Sequence, residues 1–158
     1  LILAQKRHMH IAVPGHGIVI AVPIKSVGGG KTVAFLNGET DNAAYTPSLN
    51  YAHELIVAVC SQGCTDMVMN AARAAGARGG TVLHGKGTGA KGAPKFYNIT
   101  IAQEKEMILI VAAASQKAAI MQSILKKAGP DSKAGTIVFS LPTTQVAGFA
   151  LLDNQDET

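Results

Sequence analysis

The chain lacks tryptophan altogether, and aromatic residues make up only 4% of its 158 positions. A core organised around large rings is therefore excluded, and Val, Ile, Leu, Met and Ala must fill the interior. Charge is sparse too: Asp, Glu, Lys and Arg account for 15%, against 47% apolar residues. So little charge implies that some surface is buried between subunits. The net charge of +4 is far below the basic density of a dedicated nucleic-acid binder, and no nucleic-acid partner is expected. Cysteine is nearly absent. Cys60 and Cys64 have a spacing that fits neither a metal knuckle nor a secreted disulfide framework. Reduced thiols and a cytoplasmic location follow as expectations. No apolar run reaches transmembrane length, and Leu1-Ile2-Leu3-Ala4 is too short for a signal core.

What is present is a glycine-rich basic stretch, Gly79-Gly80-Thr81-Val82-Leu83-His84-Gly85-Lys86-Gly87-Thr88-Gly89-Ala90-Lys91-Gly92. Glycines let backbone N–H groups approach an anion closely, and lysines add charge at the same place. Between Met67 and Gln103 there are five Lys or Arg and no Asp or Glu. An anionic ligand, a nucleotide phosphate foremost, fits such a stretch.

Around it, hydrophobic patterning predicts β-α-β-β-α-β. Leu55–Cys60 is a continuous apolar run, as in a covered strand. Thr65 or Asp66 caps a helix whose stripe is Val68, Ala71, Ala72 and Ala75, ended by Gly76. Thr81–His84 is a short second strand, and the glycine-rich loop then crosses to Phe96–Ile101. Met107–Ala112 is a third strong strand. Ser115 caps a second helix with stripe Met121, Ile124, Leu125 and Ala128, stopped by Gly129-Pro130. Thr136–Leu141 is the last strand. This order predicts an α+β, ferredoxin-like split βαβ sandwich: four antiparallel strands with both helices on one face. The other face is left bare and apolar, which favours oligomerisation.

The N-terminal part echoes the C-terminal part. Ile18-Val19-Ile20-Ala21-Val22-Pro23 aligns with Ile137-Val138-Phe139-Ser140-Leu141-Pro142, and Val27 and Gly29 align with Val146 and Gly148 at the same offset. Leu1–Met9 then falls opposite the second helix of the later unit. Residues 1–35 thus read as the C-terminal part of a degenerate first module, 36–53 as a linker, 54–150 as a complete module and 151–158 as a polar tail.

Several motifs have plainer readings. Gly28-Gly29-Gly30-Lys31-Thr32 imitates the end of a Walker loop, but Lys25 occupies the position of its required first glycine, so a turn explains it better. His8 and His10 diverge on the helix expected there, which argues against a metal pair. Cys60 and Cys64 read as buried small apolar residues rather than a redox couple. Asn98-Ile99-Thr100 carries no meaning as a sequon in a cytoplasmic protein. Glu104-Lys105-Glu106 reads as a solvated turn, with no nucleophile beside it.

Gly76-Ala77-Arg78-Gly79-Gly80-Thr81-Val82, then Lys86-Gly87-Thr88-Gly89 with Lys91-Gly92, then Ala134-Gly135-Thr136-Ile137-Val138-Phe139, resemble the P-II nitrogen-regulatory proteins and their P-II-like relatives. The resemblance covers roughly residues 54–148. It implies a regulatory rather than catalytic protein, usually a homotrimer, with no tightly bound cofactor. It also implies an adenine nucleotide effector (ATP, ADP or AMP) between subunits, and a loop that docks on a partner such as a transporter or regulated enzyme. Membrane contact would come only through that partner. Gly79 and Thr81 match the strand start that contacts the base. Gly87 and Gly89 match the turn near the phosphates, and Gly135 matches the glycine loop that closes the same cleft. Departures from the pattern are Ala90 where an Arg is usual, Thr136 where a Lys is usual, Ala147-Gly148-Phe149 where arginines are usual, and a shorter loop. Each lost charge-assisted contact is worth about 1.5–3 kcal/mol, and Lys86 and Lys91 stand nearby to compensate. The alternative on the same scaffold is a metal-responsive or structural oligomer resembling the CutA group.

Overall fold

The computed structural model describes residues 17–23, 52–87, 95–96, 99–100 and 102–148. By internal contacts the chain divides into two compact units, Ala52–Pro142 and a second made of Leu1–Tyr51 with Thr143–Thr158.

The larger unit has the expected order. Strand β2 (His53–Ser61) leads into α1 (Thr65–Arg73) and β3 (Thr81–Gly87). Two short strands, β4 (Lys95–Phe96) and β5 (Ile99–Thr100), come next. Then follow β6 (Gln103–Ala113), α2 (Ala114–Ala128) and β7 (Ile137–Pro142). The main sheet runs β3-β6-β2-β7, and every pairing in it is antiparallel. This is the ferredoxin-like order.

Alternation along a strand sends successive side chains to opposite faces, and here that decides where the core lies. Ile56, Ala58 and Cys60 of β2 join Ile108, Ile110 and Ala112 of β6 in one cluster with Val68, Met69, Ala71 and Ala72 of α1 and Ile120, Ile124 and Ala128 of α2. Both helices therefore cover one face. The Ser123 hydroxyl donates to the Ala71 carbonyl at 2.7 Å and ties the helices together. Lys117 at the start of α2 meets Glu54 of β2 at 2.7 Å. Close packing continues up to the entry of β3: a Cβ on Gly80 would lie 3.0 Å from the Met69 sulfur and 3.1 Å from Ile108.

Residues of the other parity face away from the helices. The register aligns Val57 with Leu109 and Phe139, and Leu83 with Met107. Leu83, Met107, Ile137 and Phe139 are 39–65% exposed. That face is thus apolar, as expected; Leu55, Val57 and Val111 at its centre are already buried, and covering one of the exposed side chains contributes about 1.5–3 kcal/mol.

The smaller unit contains β1 (Val19–Ala21), antiparallel to β8 (Gln145–Ala147), with Val19 opposite Ala147. A strand does form within the echo segment. The larger compact unit runs from Ala52 to Pro142, and its first strand starts at His53. The helix expected at 1–9, nearly all of the linker and the tail lie outside the described residues.

Several local expectations are corrected. Neither helix is capped by its own side chain: Cys64 is the N-cap of α1 and Ala113 that of α2, without side-chain bonds. Ser115 thus lies inside α2, not at its cap. Leu125 is 46% exposed, and Ile120 fills the core instead. The stretch from Phe96 to Ile101 is not one strand, since β4 and β5 pair with each other. Glu104-Lys105-Glu106 is no turn, because all three residues lie in β6.

Candidate functional site

Gly79 and Thr81 are both exposed at the entry of β3. The strand then continues through His84, Gly85 and Lys86 to Gly87, which pairs with Gln103. Gly87 was expected in a turn; the ladder to β6 keeps it extended. Its lack of a side chain still matters, because a Cβ there would meet Lys105 Cγ at 2.9 Å. Lys105 runs over that bare backbone, and its ammonium donates to the Ser61 hydroxyl at 3.3 Å. Lys86 stands opposite Glu104, with Nζ 3.6 Å from Oε1 and both side chains largely solvated. Gly89 and Lys91 lie outside the described residues.

Gly135 has φ +54, a left-handed backbone that favours glycine. The Ser61 N–H donates to the Ala134 carbonyl at 2.9 Å, which fixes this bend beside the end of β2. Register extends the row from Gly85 through Lys105 and Ser61 to this bend. Gly135 thus shares one end of the sheet with Lys86 and Gly87, but on the opposite edge. Three strand spacings separate the two edges, roughly 14 Å. Thr136 is fully buried and its hydroxyl has no partner, so it does not present a group to solvent where a Lys is usual.

Sequence reasoning missed Glu106. This residue is buried, and its carboxylate lies at the start of α1. It accepts the Gly63 N–H at 3.0 Å, the Thr65 N–H at 3.1 Å and the Thr65 hydroxyl at 2.6 Å. Free N–H groups at a helix start need acceptors, and the helix dipole favours an anion there. The Thr65 hydroxyl and the Gly63 N–H hold the Glu106 carboxyl below the usual carboxylate range, with a smaller contribution from His84 on the neighbouring strand. The available signal was parity, since Glu106 continues the helix-facing series of Ile108, Ile110 and Ala112.

Cys60 lies near the end of β2 and Cys64 at the N-cap of α1. Both are free and buried, and burial pushes the Cys60 thiol up to about 11. Among the described residues, no group of three or more His, Cys, Asp or Glu is arranged to hold a metal ion. Among the same residues, no helix is long and apolar enough to cross a membrane.

The architecture is that of a ferredoxin-like α+β domain with a glycine-rich basic strand at one edge. The family model described as nitrogen regulatory protein P-II matches residues 53–149. The chain belongs to the P-II family, whose members are regulatory signal transducers. Among solved structures it is similar to the crystal structure of Arabidopsis thaliana PII bound to citrate. That similarity has a TM-score of 0.45 and 20% identity, and covers 59% of this chain and 76% of that one. No curated protein matches.

Proposed function

We propose that this P-II family protein senses a small anionic effector, an adenine nucleotide, in clefts between subunits of a homotrimer. It relays occupancy to a transporter or regulated enzyme, as a cytoplasmic component of nitrogen regulation. In this reading Gly79 and Thr81 flank the base, and Lys86, Gly87, Gly89 and Lys91 surround the phosphates. Gly135 of an adjacent copy closes the cleft. Phosphate contacts bias the arrangement of the stretch 84–98, and the partner distinguishes the two arrangements.

The single observation that supports this most is the split of the site residues across the sheet. Lys86 and Gly87 are on β3 at one edge, while Gly135 leads into β7 at the other. Two copies packed edge to edge bring Lys86 and Gly87 of one beside Gly135 of the next, so that a single ligand meets both sets. The exposed apolar face gives the copies a reason to associate. Calorimetric titration with ATP, ADP and AMP tests the proposal. Binding of at least one below millimolar concentration is expected, and no heat from any of the three at millimolar concentration would contradict it.

A further inference from the structure

We propose that Glu104 is a built-in competitor for the anionic effector and sets the affinity of the site by holding Lys86. This rests on the nucleotide-sensing reading above and adds a residue that tunes it. Lys86 and Glu104 face each other directly in the β3–β6 register. Their charged atoms are 3.6 Å apart, and their side chains are 70% and 46% exposed. Such an exposed pair is weak, so an incoming phosphate can displace it. It is not negligible either, because Lys86 is one of two lysines expected at the phosphates.

The backbones of both partners are fixed. Glu104 and Lys86 are both within paired strands, and the Gln62 N–H donates to the Glu104 carbonyl at 3.4 Å. Two residues along the same face, Glu106 is fixed by three donors. The Glu104 backbone is thus fixed at the root of the basic stretch, and its carboxylate reaches Lys86 from there. Binding exchanges one anion for another on the same ammonium. That exchange opposes binding, and it ends when the carboxylate becomes an amide.

The test is a cycle of Glu104→Gln and Lys86→Ala, read by calorimetry with AMP, ADP and ATP at low salt. Circular dichroism and melting temperature establish that each variant is folded. Glu104→Gln is expected to tighten binding about threefold to fivefold, the upper part of the roughly 1.4-fold to fivefold range open to an exposed pair. In the Lys86→Ala background the gain should fall below about twofold, because no cation remains to be released. The gain should also shrink as salt rises, since screening shortens from about 10 Å at 0.1 M to about 3 Å at 1 M. Unchanged or weaker binding in Glu104→Gln, with wild type binding normally, overturns this inference alone. An equal gain with and without Lys86 also overturns it, in favour of simple repulsion. Binding by Glu104→Gln but not by wild type supports it strongly. If neither protein binds any nucleotide, the nucleotide reading falls and this inference falls with it.

Discussion

Glu104 and Glu106 are the same residue type, two positions apart on one strand and on the same face of the sheet, yet their surroundings give them opposite roles. Glu106 is buried and accepts three hydrogen bonds at the start of α1. Glu104 is largely solvated and has a weak ionic contact to Lys86. The helix makes the difference. Orphan N–H groups at its first turn supply a fixed positive end, and β6 carries Glu106 under it while Glu104 lies beyond its reach. Stability is invested in the inner carboxylate, and adjustable electrostatics in the outer one.

Substitutions can break that contrast, and the largest effect is expected at Glu106. Glu106→Ala removes the acceptor shared by the Gly63 N–H and by the Thr65 N–H and hydroxyl, and should cost about 1.5–3 kcal/mol by urea unfolding. A loss below about 1 kcal/mol would mean that water replaces the carboxylate. Thr65→Val removes one donor and keeps the shape, so about 1–1.5 kcal/mol is expected from the same measurement. Acid titration sharpens the contrast. The Glu106 carboxyl is held below its ordinary value of 4.5, so its contribution is full above that value and fades as pH falls towards the folded-state value. Wild type should lose stability on acidification below about pH 5, and Glu106→Gln should lose less over the same interval. Some slope should persist in the variant, because hydrogen bonding to Lys117 also holds the Glu54 carboxyl low. The smallest effect on stability is expected for Lys86→Ala with Lys91→Ala. Thermal unfolding should move by no more than about 0.5 kcal/mol while nucleotide binding weakens. A large fall in melting temperature would instead make these lysines structural.

Much of the fold was legible because apolar patterning is a strong signal. The runs at 55–60 and 107–112 became the two central strands, and the Val68-Ala71-Ala72 stripe became the core face of α1. Local polar choices were less legible. Thr65 reads as a cap, but the cap comes from Glu106, which is forty-one positions away in sequence; no local pattern encodes that contact. Glu104-Lys105-Glu106 reads as a turn because three consecutive charges resemble solvent exposure, whereas alternation sends each to a different partner: Lys86, Ser61 and the start of α1. Glycines at 85 and 87 resemble a loop, yet pairing with β6 holds them extended. The candidate site was legible as a set of residue types. Its division between two sheet edges was not, because that depends on the strand order.

The most direct test of the central claim, that ligand and subunit contact are one site, is Phe139→Asp on the uncovered face. Phe139 is 44% exposed, so the fold should survive, as judged by circular dichroism. If the proposal holds, wild type sediments as a trimer and binds nucleotide, and the variant loses both in the same sample. A monomer that binds nucleotide as tightly as wild type would contradict the account.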